Sequence, residues 1–268
     1  MKANFLFLFI LCATVSLNGQ ELKPIGFFDI GYTPVTASID RQGNLYFADN
    51  KGSIDRFDQS GIKSYHFSPQ KRGEPSIIEA WQGLRTFVHY ANFQEYLFLD
   101  RFLNNSERYP IDFSQNINFS GLATLSGDNN LWFINNQELS LLKVDLNNNE
   151  VLFENKLNLN LNFEDLDIQF MRAYQNYLFI SDAKHGILMF DNLGNFVEHL
   201  VELEGVDFFT FNKNELVLIS GQKLILKEIY SKTKREISLP DLPYQFVLME
   251  NNKIFLVRKN TVDIFSIN

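Results

Sequence analysis

Asn44-Leu-Tyr-Phe-Ala-Asp49 is the first instance of a phrase that returns along the chain. It recurs as Asn130-Leu-Trp-Phe-Ile-Asn135, Asn176-Tyr-Leu-Phe-Ile-Ser181, Asn214-Glu-Leu-Val-Leu-Ile219 and Asn252-Lys-Ile-Phe-Leu-Val257. Each time an Asn opens a short apolar or aromatic run, a polar turn follows, and a second apolar run comes next. Such residues suit the pleated, half-buried surface of a sheet. Strand pairs recurring at a period of roughly 40 residues are the pattern of a radial or stacked all-β array.

Working outward, each repeat reads as four strands, innermost first. The first covers residues 35–40, 45–49, 53–58 and 62–67, punctuated by Gln42-Gly43-Asn44, Asn50-Lys51-Gly52 and Gln59-Ser60-Gly61, where positive φ or side-chain turn bonding is wanted. The second admits two registers. One has an inner strand at 76–81, then 85–90, 95–102 and 107–113. The other makes 85–90 the inner strand and 68–84 an insertion. The first keeps the spacing even and is preferred. Units three to five follow with inner strands at 122–126, 168–174 and 206–211. The sixth offers only 244–249, 253–258 and 262–267, one strand short, while residues 25–32 form a spare strand before the first unit. A ring closes when that strand completes the last blade and removes the exposed edges. The expectation is therefore a single all-β domain over residues 21–268, a six-bladed β-propeller closed by its N-terminal strand. Residues 160–168 are expected to hold at most one short helical turn, and 68–75 and 157–167 are the longest irregular connections.

Residues 1–20 differ from the rest. Lys2, an apolar run over 5–15 and a small polar end reproduce the three-part order of a secretory signal peptide, and the run is short of the ~20 apolar residues of a spanning helix. The expected location is thus the periplasm or the extracellular space. Cys12, the one cysteine, lies in this segment after Leu11, which is not the small residue that lipid attachment wants. The remaining chain must hold itself together by burial without disulfides. Asp and Glu exceed Lys and Arg by eight, so nucleic acid and anionic membranes are disfavoured as partners. The 27 Phe, 10 Tyr and 2 Trp are read chiefly as core between sheets.

The stretch Pro34-Val-Thr-Ala-Ser-Ile-Asp-Arg-Gln-Gly-Asn-Leu-Tyr-Phe-Ala-Asp49, with Gly52, Ile54, Phe57-Asp58 and Gly61, resembles the NHL repeat. The fourth unit repeats the later part at Asp182, Gly186-Ile187, Phe190-Asp191 and Gly194, and the other units keep the spacing and apolar rhythm. The resemblance implies a six-bladed propeller and, most often, a binding or scaffolding module. The senescence-marker/gluconolactonase and peptidylglycine-lyase groups are six-bladed relatives that catalyse with a metal in the central channel.

For chemistry, His66, His89, His185 and His199 show neither i,i+2 nor i,i+4 spacing, and no Gly-Xaa-Ser-Xaa-Gly elbow or phosphate loop occurs. No catalytic residue and no cofactor is assigned. Asp165, Asp167 and Asp207, at connections opening on the channel, are the candidates for an oxygen cage around a divalent cation such as calcium. Turns between second and third strands form the expected recognition rim. Its binding candidates are Asp49, Lys51, Tyr90, Asn92, Phe93, Asn135, Asp182, His185 and Arg258, with Gln137, Lys184 and Lys259 beside them. The favoured function is a non-enzymatic binding or scaffold module for a protein or polar polymer of the envelope. The alternatives are a metal-dependent, lactonase-like hydrolase or lyase, and a carbohydrate-binding propeller using Phe93 and Tyr90.

Overall fold

The computed structural model describes residues 21–81, 83–104, 107–111, 121–148, 150–157 and 166–267. The segment read as a signal peptide lies outside the described residues, as do Asp165 and most of the expected helical turn, whose last residue, Ile168, begins a strand. The described residues form 24 strands in six antiparallel four-stranded sheets, the blades of a propeller. Among them, no helix is long and apolar enough to cross a membrane.

The chain opens with β1 (Leu22–Asp29). Blade one is β2 (Thr36–Ile39), β3 (Leu45–Ala48), β4 (Ile54–Phe57) and β5 (Lys63–Phe67). Blade two is β6 (Ile77–Glu79), β7 (Arg85–Tyr90), β8 (Glu95–Asp100) and β9 (Arg108–Pro110), the evenly spaced register. Blade three is β10 (Ala123–Leu125), β11 (Leu131–Asn135), β12 (Ser140–Asp145) and β13 (Glu150–Lys156). Blade four is β14 (Ile168–Tyr174), β15 (Tyr177–Asp182), β16 (Gly186–Phe190) and β17 (Phe196–Val201). Blade five is β18 (Phe209–Asn212), β19 (Glu215–Ser220), β20 (Lys223–Glu228) and β21 (Lys234–Ser238). Blade six has β22 (Phe246–Glu250), β23 (Lys253–Arg258), β24 (Thr261–Ile267) and, as its outermost strand, β1.

The closing strand starts and ends three residues earlier than its apolar pattern suggests. Pairing reaches back to Leu22 opposite Ile267 through a bulge between Pro24 and Gly26. It stops at a turn in which the Asp29 carboxylate accepts the Gly31 amide at 2.6 Å, with Gly31 at φ 91°. Asn260 in the β23–β24 turn donates to the same carboxylate, and its carbonyl receives the Ile30 amide at 2.7 Å. Phe28 then bridges the seam, its ring 5.4 Å from Phe57 of blade one and pressed on Gly61.

Each blade packs on both faces, so its inner and middle strands are buried at consecutive positions, as in β3 and β11. One cluster runs round the ring, with Phe47, Phe87, Phe133, Phe179, Phe209 and Phe255 all fully buried. Nearer the axis the inner strands exchange polar bonds. The Ala80 amide donates to Ser38 Oγ at 3.1 Å, and Thr124 Oγ1 donates to Glu79 while accepting the Ala173 amide at 3.0 Å. These bonds stitch blades one to four. Between blades five and six, Asn212 and the Asn251 backbone exchange two bonds of 3.0 Å.

Glu79 is the charged member of this girdle, 2% exposed, and also accepts the Leu125 amide at 3.1 Å. Burial pushes its carboxyl up to about 7, against the opposing pull of Arg172 and of its donors. A pKa raised on folding confers stability that is complete below the unfolded value and is lost as pH rises through about 7.

Two outcomes are expected. In Glu79→Gln the melting temperature relative to wild type should improve by roughly 5–10 °C between pH 4.5 and pH 8, because about two pKa units at ~1.4 kcal/mol each no longer oppose folding. Scanning calorimetry across that range checks it, and a pH-independent difference would contradict it. Gly61 has φ 87° and a Cβ there would enter the Phe28 ring. Gly61→Ala should therefore cost about 2–4 kcal/mol in urea unfolding.

Candidate functional site

Two families of connections share one face of the ring: the turns between second and third strands, and the outer-to-inner links between blades. Asp and Asn end the second strands because their short side chains close the turn. Asp49 accepts the Lys51 and Ser53 amides at 2.9 and 2.8 Å, and Asn135 accepts the Gln137 amide at 3.0 Å. Asp182 accepts the Lys184 and His185 amides, lies 2.6 Å from His185 Nδ1, and takes the Asp167 amide on its other oxygen at 2.6 Å. Asn135 and Asp182 are buried. Their carboxylate or amide oxygens face the turn, not solvent.

The remaining candidates divide. Lys51 and Asn92 are exposed. Tyr90 is buried, its ring 3.9 Å beneath the Arg108 guanidinium. Phe93 stays 40% exposed, but Lys71 Nζ sits 4.4 Å over its ring and Gly73 closes against its edge. The loop of residues 68–75 is pinned there by Lys71–Glu95 (2.6 Å) and by the Gly73 amide to Lys51 carbonyl bond (3.2 Å). An open aromatic platform of Tyr90 and Phe93, as a sugar ring requires, is therefore not what the fold presents. Asp167 is exposed and holds Gln169 Nε2 at 2.6 Å, and Asp207 is exposed at a different connection. Among the described residues no three His, Cys, Asp or Glu side chains are placed to share a metal ion.

What the face does present is a cavity of about 580 Å³ at blades five and six. Phe208 and Asp207 come from the link into blade five, Ile219 from its second strand, Tyr244 and Gln245 from the link into blade six, Phe246 from the start of β22, and Val35 from the residue before β2. Its floor is aromatic: Phe208 meets Phe246 and Phe170 edge-on or tilted, each at 5.0 Å. One wall is tied to the rim. Arg258 Nε and the Tyr244 hydroxyl both donate to Asp263 Oδ2, at 2.8 and 3.1 Å. Burial and the Asp263 charge push the Tyr244 phenol up to about 12, so it remains a neutral donor. Arg258 is thus a brace for Tyr244. Sequence reading missed Val35, Phe208, Ile219 and Gln245. The available signal was the doubled Phe208-Phe209 and the Tyr244-Gln245-Phe246 triplet, aromatic residues gathered at the start of an inner strand.

His89 is fully buried, with Nδ1 2.8 Å from Ser76 Oγ, and burial pushes it down to about 3, so it stays neutral. His66 faces Asp55 at 2.6 Å on the outer edge of blade one.

The chain matches no known family model, and no curated protein matches its sequence. Solved structures do match in shape. Catalytically inactive H270A virginiamycin B lyase from Staphylococcus aureus, solved with quinupristin, aligns over 92% of this chain and 99% of its own at a TM-score of 0.63 and 11% identity. YCF48 bound to D1 peptide aligns over 93% and 99% at 0.59 and 10%. The WD40 β-propeller domain of Doa1 aligns over 92% and 97% at 0.64 and 10%. At these identities the shared property is the propeller fold.

Because Asp49 and Asp182 already accept backbone amides and, among the described residues, no three carboxylates are placed to share an ion, melting curves in millimolar EDTA and in millimolar calcium should superimpose within about 1 °C. A calcium-dependent rise of several degrees would instead assign an ion to the native state, since a ligand that binds only the folded form stabilises it.

Proposed function

We propose that this chain is an exported, non-enzymatic β-propeller that binds an extended protein segment on its loop face, seating an apolar side chain in the cavity at blades five and six. The single observation that carries the reading is that cavity. It is concave, floored by Phe208 and Phe246, and edged by a few polar groups, Asp207, Tyr244 and Gln245. More of its accessible lining is polar than apolar, so the polar groups orient an occupant and the Phe208–Phe246 floor receives its one apolar side chain. The walls are set by rigid strands and braced through Arg258–Asp263–Tyr244, so binding needs little rearrangement.

Three further facts support it. The N-terminal order of Lys2, apolar run and polar end supports export. The NHL-like phrases of the first and fourth units support a binding or scaffolding role over catalysis. YCF48, a neighbour in fold, is described with a bound peptide. The excess of eight acidic residues, together with Asp207 at the cavity edge, favours a segment with a basic residue beside its apolar anchor.

Selection from a displayed peptide library tests this. Enriched peptides should pair an aromatic or aliphatic residue with Lys or Arg. Asp207→Lys should weaken them at least tenfold with the melting temperature unchanged, and Ile219→Arg should abolish binding. Failure to enrich any sequence, or equal binding by both variants, would overturn the assignment.

A further inference from the structure

The opposite face, where first strands turn into second strands, carries a feature that the loop-face reading does not use. Asp40 and Arg41 of blade one, Trp81 of blade two, Arg172 and Tyr174 of blade four, Thr210, Phe211 and Lys213 of blade five and Glu250 of blade six all line one small cleft. Five of six blades converge there, which places it on the ring axis, at the mouth of the channel. Its volume is about 60 Å³. At roughly 10–15 Å³ per water-sized occupant, that space takes about four to six heavy atoms.

It is bordered by a buried donor with no partner. Arg172 is 3% exposed, and its Nε has no hydrogen-bond partner although it borders the cleft. Trp81 Nε1 is also buried without a partner, approaching Glu79 but not closing a hydrogen bond of ordinary geometry. The Arg41 guanidinium lies 5.5 Å over the Trp81 ring, which in turn meets Tyr174 edge-on at 6.2 Å. Lys213 adds a third cation at the rim. A buried guanidinium nitrogen left unpaired costs free energy that an acceptor would recover.

The carboxylates in the lining are already engaged. Asp40 accepts the Gln42 and Asn44 amides at 2.9 Å each, Asn44 Nδ2 at 2.8 Å and the Tyr46 hydroxyl at 3.1 Å. Glu250 accepts Asn251 Nδ2 at 3.0 Å. Glu79, behind the cleft, takes Thr124 and Leu125. Arg41, Arg172 and Lys213 stand against Asp40, Glu250 and Glu79, all three already accepting hydrogen bonds, so the unmet group is the planar guanidinium N–H of Arg172, which suits a planar anion.

We infer that the axial cleft binds a carboxylate, held by Arg172 Nε and attracted by Arg41 and Lys213, with the Trp81 indole forming part of its wall. The chemistry is shared by a free small acid and by the carboxylate at a peptide C-terminus. Acetate, with four heavy atoms, fits the space. A peptide terminus would enter with its chain leaving toward Arg41 and Lys213, both exposed. This site lies on the face away from the cavity lined by Phe208, so the two stand or fall separately.

The chain has two tryptophans, Trp81 and the buried Trp132 of blade three, so the indole N–H region of a ¹H–¹⁵N spectrum reports the cleft with an internal control. Sodium acetate is titrated against sodium chloride at constant ionic strength. The Trp81 signal should move saturably with acetate, the Trp132 signal should not, and chloride should move neither. The double variant Arg41→Ala with Lys213→Ala, both exposed positions, should weaken the acetate response at least threefold with the melting temperature kept. Arg172→Lys should remove it. In parallel arms, Gly-Gly-Ala with a free C-terminus outperforming acetate assigns a peptide terminus, and acetate outperforming the peptide assigns a free small acid. The peptide's C-terminal amide should be silent in either case. A linear response, one matched by chloride, or one unchanged in the double variant would overturn the inference and leave water as the occupant.

Discussion

The pairing of β1 with β24 is the interaction on which the rest of the molecule depends. A propeller blade with three strands exposes a ladder of unpaired amides and carbonyls, and an open ring exposes the apolar faces of its first and last blades. Here one strand answers both. Its backbone completes blade six, and Phe28 on that strand packs against Phe57 and Gly61 of blade one. The seam is reinforced by the Tyr32 hydroxyl on the Phe47 carbonyl and by Lys253 on Gln59. The loop-face cavity also spans this join, since Val35 of blade one shares it with Phe246 of blade six.

Once closed, the ring imposes a division of labour on its residues. Strand interiors supply apolar side chains on both faces to the spaces between sheets, and turn Asp and Asn side chains saturate their own backbone. What is left for recognition comes from the links between blades and from the inner strands at either mouth of the channel. The inner-strand polar girdle, with Glu79 and Arg172 inside it, is the costly part of this arrangement. It fixes blades one to four against one another, and it leaves Arg172 Nε without a partner at the axis.

Much of the fold was legible because a propeller repeats. The recurring Asn-led phrase marked every second strand but one, and the missing strand of unit six together with the spare N-terminal run announced the closure. Even spacing selected the right register for blade two. The closing strand's limits were misplaced because Pro24 and Gly26 conceal a bulge that apolar alternation does not register. The sites were far less legible. A link between blades has no period, so Phe208 and Gln245 read as strand beginnings, whereas Asp182 and Asn135 stood out as turn polar groups although their side chains close the turn. Tyr90 appeared as a rim aromatic because it ends a strand, but the Arg108 side chain lies across it. Two signals were present and unused: a charge inside an apolar inner strand, in Ile77-Ile78-Glu79-Ala80 and in Phe170-Met171-Arg172-Ala173.

Hydrogen exchange along residues 22–29 tests the closure most directly. The account predicts that the β1 amides facing β24 exchange slowly and share the opening free energy of β24 itself, because the two strands form one cooperative unit. Exchange of those amides at the rate of an unstructured chain, while β22 to β24 remain protected, would contradict it.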